Sequence, residues 1–186
     1  TPGDMKFVDV NGDGVIDDSD RTFIGNPNPD FYYGFNINME YKGFDLSAYF
    51  TGAARTSTFF EDRTFWPFAS GMGFFNVFKE IYDNRWTPET AGAAKYPVVT
   101  DGFNVQSMRR STVWQKDASY LRLKNLEVGY TLPKKVVSKL KINNLRVFVN
   151  GTNLYTWDKI NHTIDPESDN WYPIQRAVNF GLAVDF

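Results

Sequence analysis

The chain has 186 residues, of which 42% are hydrophobic and 23% charged, a balance typical of folded rather than disordered proteins. A net charge of −2 argues against a nucleic-acid partner, and the absence of cysteine excludes disulfide scaffolds and Cys-based zinc sites. No stretch approaches the ~18 apolar residues of a transmembrane helix. The aromatic share of 17% suits either a carbohydrate-binding β-domain or the aromatic girdles of a membrane barrel.

Residues 1–30 contain an acidic loop with the oxygen-ligand spacing of an EF-hand calcium loop. The predicted ligands are Asp9, Asn11, Asp13, Val15 through its carbonyl, Asp17 and Asp20, with Gly14 at the sharp turn. Position twelve is Asp instead of Glu, and Met5–Val8 does not resemble an entering helix. We therefore predict a structural calcium ion rather than a sensor, and no organic cofactor. The alternative is an acidic turn held by its own hydrogen bonds.

The chain starts Thr1-Pro2-Gly3, without an initiator Met or a signal peptide, so we expect it to be part of a longer protein. The next segment, 31–51, predicts a β-hairpin. Apolar residues occupy the odd positions from Phe31 to Tyr41 and the even positions from Phe44 to Phe50, and Lys42-Gly43 forms the turn.

The segment 53–118 is predicted to be a long loop that carries one short surface helix. The helix is indicated by residues at helical spacing, namely Phe74, Phe78, Ile81, Tyr82 and Arg85. Three tryptophans in this loop, Trp66, Trp86 and Trp114, are weak candidates for stacking against a sugar or another flat ligand. The alternative is packing of the long loops, with Trp114, Trp157 and Trp171 at the membrane–water girdle.

Three more strands are predicted, at 119–132, 145–155 and 172–186. The first changes its apolar parity midway, which predicts a bulge near Lys124 and Asn125. The turn 133–144 contains a predicted helical turn over Lys134–Leu140. In the last strand the apolar residues share one face and run to Phe186.

These features predict an all-β chain that forms about five antiparallel C-terminal strands of a large transmembrane β-barrel. Each strand is about as long as the 9 to 11 residues that cross a bilayer. Turns at one end are short and loops at the other are long, as in barrels with periplasmic turns and extracellular loops. Residues 31–186 would form the barrel segment, and polar residues of the opposite parity would line a lumen, namely Asn36, Asn38, Asp45, Asn150 and Asn179.

Catalytic groups are sparse, and the sequence predicts that this is not an enzyme. His162 is the only histidine, and no nucleophile motif is present. Glu61, Asp62 and Asp83 could be read as glycosidase acids, but a charged loop surface explains them as well.

The chain resembles the C-terminal part of the SusC/RagA family of TonB-dependent outer-membrane transporters of Bacteroidetes. The matching stretches include the segment PGDMKFVDVNGDGVIDDSDRTFIGNPNPDFYYGFN, the hairpin YKGFDLSAYFTG, RWTPE with AKYP, DASYLRLKNLEVGYTLPKK, LRVFVNGTNLYTW, IDPES and FGLAVDF. They follow the family's order and cover nearly the whole chain, with 59–77 the least informative part.

The resemblance implies a barrel of about 22 strands with an N-terminal plug that is absent from this chain. It implies import of oligosaccharides or peptides across the Gram-negative outer membrane, with a SusD-like surface lipoprotein as partner and energy from TonB through the absent N-terminal region. It also implies that the last strand is a signal for the outer-membrane assembly machinery, carried by Phe180, Leu182, Val184 and Phe186.

Two other functions are also compatible with the sequence alone. One is a soluble secreted β-sandwich that binds glycans and is stabilised by calcium. The other is a passive porin or adhesin barrel.

Overall fold

The computed structural model describes residues 1–61, 65–68, 76–160, 164–167 and 174–186. The described strands are β1 (Phe31–Tyr41), β2 (Phe44–Ala54), β3 (Ser57–Phe59), β4 (Gln115–Asp117), β5 (Tyr120–Thr131), β6 (Asn144–Asp158) and β7 (Ala177–Asp185). The helices are α1 (Lys79–Asp83) and α2 (Lys134–Val137), with 3-10 turns at Asp18–Asp20 and Ser138–Leu140. Within these described ranges no helix is long and apolar enough to span a bilayer.

The described residues divide into two compact units. The loop unit comprises residues 1–26 and 58–116, and the sheet unit comprises residues 27–57 and 117–186. The predicted extracellular loops 1–30 and 53–118 supply the residues of the loop unit, although β2 continues to Ala54 and the division falls a few residues from the predicted boundaries.

The sheet unit is built on one antiparallel sheet with the strand order β1-β2-β5-β6-β7. The hairpin prediction is confirmed, since β1 has the predicted bounds and Lys42 and Gly43 turn with φ angles of 48° and 88°. The register shifts around Lys124 on both sides of β5, which confirms the predicted bulge. One extra residue there moves the apolar side chains from odd to even positions.

The prediction for the last strand is wrong at its start. In the structure β7 begins at Ala177. Ile174, Gln175 and Arg176 precede it without regular structure and are not part of the strand. The physical reason lies in the partner strand, because the pairing of β6 with β7 ends at Thr152 opposite Ala177. Beyond this pair Asn153 has a left-handed φ of 52°, which ends the ladder with β7. Residues 172 and 173 lie outside the described residues.

The register aligns the apolar positions of all five strands on one face of the sheet. One row runs from Met39 through Leu46, Val128 and Val149 to Phe180. The next row runs through Tyr41, Phe44, Tyr130, Val147 and Leu182. Many of these side chains are exposed, up to 85% for Phe180, so the sheet presents an apolar surface that no described residue covers.

The loop unit has its own small aromatic core. Its most buried side chains belong to Phe60, Ile81, Tyr96, Ser107, Met108 and Trp114. Trp114 is completely buried, and its indole Nε1 donates a hydrogen bond of 2.8 Å to the Ser107 carbonyl. The predicted helix is shorter than its spacing indicated, with Phe78 as the residue before α1 and Arg85 in an isolated bridge to Tyr96; Phe74 lies outside the described residues.

Candidate functional site: the polar face of the sheet

The face opposite the apolar rows carries polar residues that also align across the strands. Ser47 of β2, Glu127 of β5, Asn150 of β6 and Asn179 of β7 are successive partners in the register, and Asn38 of β1 continues the row. This alternation follows from the period of two in a strand, which sends neighbouring side chains to opposite faces. The predicted lumen residues Asn36, Asn38, Asp45, Asn150 and Asn179 all lie on this face.

A hydrogen-bonded network joins four strands on the polar face. Asn179 donates to Asn150 at 3.0 Å, and Asn150 donates to Glu127 at 3.3 Å. The other Glu127 oxygen accepts from the Arg146 guanidinium at 2.7 Å. Arg146 also donates to both carboxylate oxygens of Asp45, with a distance of 3.0 Å from Nε to Oδ1. This bidentate geometry is the strongest form of an Arg–carboxylate pair.

Glycines make room for this network. Gly129 is the register partner of Asp45 on β2 and of Phe148 on β6, and a methyl group there would collide with the Arg146 guanidinium and with the Asp45 carboxylate. Gly181 of β7 lies under the ring of Phe148, which is its register partner on β6. Phe148 interrupts the polar pattern of its strand because its ring covers this glycine, and the Arg146 guanidinium lies 4.9 Å from the ring centre.

A second ionic cluster lies on the same face beyond the bulge. Arg122 is only 2% exposed, and its NH2 group lies 2.5 Å from the Asp165 carboxylate. Its NH1 group lies 2.9 Å from Glu167, and its Nε donates to the Thr156 hydroxyl at 2.9 Å. Lys124, the bulge residue, pairs with the same Glu167 at 2.9 Å. The cluster holds residues 164–167 against the polar face.

Sequence reasoning missed Glu127 and the residues of the second cluster as members of this surface. Arg146 and Glu127 were visible as charges at polar positions of their strands, but the register that makes them neighbours was not. Asp165 is 43 residues from Arg122, and Glu167 is 43 residues from Lys124, so only the tertiary fold brings these pairs together.

The acidic loop 9–20 is organised by hydrogen bonds from its own backbone. Asp9 accepts from the amides of Gly12 at 2.6 Å and Gly14 at 2.8 Å. Asp20 accepts from the amides of Val10 at 2.7 Å and Asp17 at 2.8 Å. The amides of Asp17 and Val10 lower the pKa of the Asp20 carboxyl below its ordinary value.

The predicted ligand Asn11 accepts from the Asp13 amide at 3.0 Å, and Asp13 accepts from the Val15 amide at 2.8 Å. Gly14 has a φ of 83°, the left-handed turn for which a glycine was predicted there. Among the described residues no three acidic or histidine side chains are placed to hold a metal ion. Carboxylate oxygens that accept an amide hydrogen keep further lone pairs for a cation, so the donor set suits calcium, and calcium binding stays a prediction.

The three candidate stacking residues differ in their surroundings. The prediction of Trp114 as a stacking residue or a girdle residue is wrong, because its indole is fully buried in the loop unit. Trp86 is partly buried with its ring against Gly3, where a methyl group would come within 2.6 Å of the indole. Trp66 lies edge-on to Phe103 at 5.8 Å.

Trp157, a predicted girdle residue, is 48% exposed on the apolar face, beside Tyr155. Trp171 and His162 lie outside the described residues.

A chain of three polar groups ties the loop unit together. The Tyr96 hydroxyl donates to Glu80 at 2.9 Å and accepts from the Lys116 ammonium at 2.7 Å. Burial raises the pKa of Tyr96, with a further contribution from Glu80, and burial lowers the pKa of Lys116. Because all three groups satisfy one another, we interpret this chain as structural.

Similar proteins were found by sequence and by structure. No protein-family model matches the chain. The TonB-dependent receptors P26 and P3 of Formosa agariphila are each 31% identical to it, over 99% and 100% of the chain and 20% and 17% of their own lengths. The TonB-dependent receptor SusC of Bacteroides thetaiotaomicron is 27% identical over 100% of the chain and 18% of its own length.

Solved structures of the RagAB peptide importer are similar in fold. In the closed-closed state the match has a TM-score of 0.66 at 25% identity, over 88% of this chain and 18% of that one. In the open-open state the TM-score is 0.65 at 27% identity, over 87% of this chain and 18% of that one. The chain therefore spans about a fifth of the length of the proteins that it matches.

Proposed function

Because this chain belongs to the SusC/RagA-type TonB-dependent receptors of the outer membrane, we propose that it forms part of the barrel wall of an importer for oligosaccharides or peptides. The apolar face meets lipid, and the polar face lines the lumen. The matched proteins are named as receptors and importers, none as an enzyme. In this proposal the whole receptor acts with a SusD-like surface lipoprotein and takes energy from TonB.

The two-faced sheet carries this proposal. Exposed apolar rows on one face suit hydrocarbon, whereas the Asp45–Arg146–Glu127–Asn150–Asn179 network suits a hydrated lumen. Charged groups are costly in lipid, so the ionic clusters belong to the side away from the membrane. A soluble β-sandwich is not favoured, because its apolar face would be covered by a second sheet.

Uptake by the full-length receptor tests the import function. A strain without the receptor is grown on individual oligosaccharides and peptides as sole carbon source, with and without the receptor gene on a plasmid. We expect growth on at least one member of the panel to depend on the receptor and on TonB. Growth that needs the receptor but not TonB would indicate a passive porin. Co-purification of a lipoprotein with the receptor, from membranes of the same strain, tests the partner.

We further propose that the acidic loop binds calcium and orders residues 9–20. The support is the ligand spacing and the backbone hydrogen bonds that already curve the loop around its carboxylates. In the full-length receptor, Asp9→Ala with Asp13→Ala should abolish terbium luminescence, with terbium as the calcium probe, and should remove calcium-dependent protection of the loop from protease.

Asp18 offers a matched control for this test. It lies in the same loop but at no ligand position, and its carboxylate pairs with Arg21 at 2.7 Å. Asp18→Ala should therefore keep terbium binding. Equal protease sensitivity of the unsubstituted loop with calcium and with a chelator would argue for the simple acidic turn.

We propose Trp66 and Trp86 as the residues that contact a flat ligand, because Trp114 is fully buried. The support is that both residues belong to the loop unit and are partly exposed. Trp66→Ala should weaken uptake of the substrate that the growth panel identifies, while leaving the amount of receptor in the membrane unchanged.

A further inference from the structure

The turn between β5 and β6 is strongly basic. Residues 133–143 contain Lys134, Lys135, Lys139 and Lys141 and no acidic residue. Lys42, in the turn between β1 and β2, lies at the same end of the sheet, because β2 and β5 are antiparallel neighbours. All five lysines are exposed. The short-turn end of the sheet unit therefore carries five positive charges, four of them in one turn.

The basic turn is anchored to the sheet rather than hanging free. Val137 of α2 is buried, and its carbonyl accepts from the Ile142 amide at 3.4 Å. The backbone closes onto the strands on both sides, with Leu132 donating to Leu145 at 2.9 Å and Asn143 donating to Asp185 at 2.8 Å. The lysines are consequently held at a fixed level just beyond the last rungs of β5 and β6.

Aromatic side chains mark the adjoining level on the lipid-facing side. Tyr41, Phe44 and Tyr130 follow one another in the last apolar row before the turns, and the Phe44 and Tyr130 rings lie 4.4 Å apart. The Lys42 ammonium lies 5.0 Å from the centre of the Tyr41 ring. Tyrosine and a neighbouring lysine are typical of the boundary between hydrocarbon and headgroups.

The acidic residues at the short-turn end of the sheet lie on its polar face, opposite the aromatic row. Glu40 and Asp185 occupy polar positions of their strands, in the rows of Asp45 and Asn144. In the described ranges, lysines form ion pairs at positions 79, 124 and 159, but none of the five turn lysines does. No ion pair of the described residues therefore neutralises the charge of these five exposed lysines.

From this arrangement we propose, resting on the barrel-wall function proposed for this chain, that the basic turn, with Lys42, binds the phosphate headgroups of anionic phospholipids in the periplasmic leaflet. Each ammonium near an anionic bilayer surface adds a favourable contribution that falls off within a Debye length. Val136 is 45% exposed beside the lysines and can enter the headgroup boundary with them. The site would select lipid by charge and fix the height of the barrel in the membrane.

Native mass spectrometry of the purified full-length receptor tests this site. The probes are phosphatidylglycerol and, as the zwitterionic reference, phosphatidylethanolamine. The variant replaces Lys134, Lys135, Lys139 and Lys141 with Gln. We expect its affinity for phosphatidylglycerol to fall about tenfold or more, because four phosphate-facing charges are lost. The difference should shrink at high salt. Binding of phosphatidylethanolamine should change little.

Two controls isolate the position of the charge. A matched variant replaces four exposed cations of the loop unit, Lys6, Lys79, Lys95 and Arg109, with Gln, and it should keep full phosphatidylglycerol binding. A second variant with Arg at the four turn positions should restore binding, which separates charge from misfolding. The proposal would be overturned if both Gln variants lost phosphatidylglycerol binding equally, or if the turn variant lost none. It would also be overturned if the turn variant bound lipid normally and lost only its binding to cell-wall sacculi.

Discussion

Arg146 connects three strands through one guanidinium. It contacts Asp45 of β2 and Glu127 of β5 from its own position on β6, and each of the three side chains is roughly one quarter to one third exposed. Its removal would leave two carboxylates of neighbouring strands without their shared cation. Since partial exposure screens the charges, the value of each pair is modest.

A double-mutant cycle with Arg146→Gln and Asp45→Asn measures that value. Each substitution lowers the free energy of unfolding. We expect the decrease in the double variant to be about 1 kcal/mol smaller than the sum of the decreases in the two single variants. The measurement is a reversible denaturant titration of the full-length receptor in detergent. Ser47→Ala, on the same face of β2, is the control that should be additive with Arg146→Gln. Additivity of Asp45 with Arg146 would show that the pair contributes nothing.

Asp20 gives the acidic loop a defined pH dependence. The pKa of its carboxyl is lowered by hydrogen bonds from the amides of Asp17 and Val10. A lowered folded pKa means that this contribution to loop order is complete above the ordinary value of 3.8 and is lost as the pH falls through the folded pKa. Pepsin cleavage within residues 9–20 should accelerate as the pH drops below about 4. Asp20→Asn should flatten this dependence, and an unchanged pH profile in that variant would contradict the assignment.

At the scale of the element, β6 and β7 fit together through one aromatic ring. Phe148 fills the space over Gly181, so any side chain at position 181 meets the ring. Gly181→Ala should therefore reduce the yield of heat-modifiable folded receptor, because overpacking strains the ladder. Phe148→Leu should restore the yield in the double variant. Ala183→Ser, two residues along on the same face, should have little effect. Failure of the rescue would mean that Gly181 is needed for its backbone alone.

Strands were predictable where a period of two was uninterrupted, as in β1 and the Lys42-Gly43 turn. The bulge at Lys124 was also predictable, because one added residue reverses the apolar parity. The start of β7 was not, since it depends on where the partner strand leaves the ladder at Asn153. The burial of Trp114 was equally hidden, because an indole in a long loop reads alike whether it packs inward or faces a ligand. The two ionic clusters required the register, which no single strand contains.

At the scale of the whole molecule, β7 is an edge strand of the described sheet, and its apolar face is exposed. Phe180, Leu182 and Val184 lie on that face, Phe186 follows the strand directly, and all four side chains are exposed. Each large apolar side chain gains about 1.5–3 kcal/mol when it leaves water. We propose that this face is the surface which the outer-membrane assembly machinery recognises before lipid covers it.

Deletion of Phe186 from the full-length receptor tests that role. We expect the amount of heat-modifiable barrel in the outer membrane to fall several-fold, because the end of the apolar face loses its largest exposed ring. Asp185→Asn changes the opposite face of the same strand and should leave insertion unchanged. Pulse-chase fractionation separates slow insertion from rapid degradation of an inserted barrel, since only the former leaves the chain in the periplasm at early times. Normal insertion without Phe186 would confine the role of this face to contact with lipid.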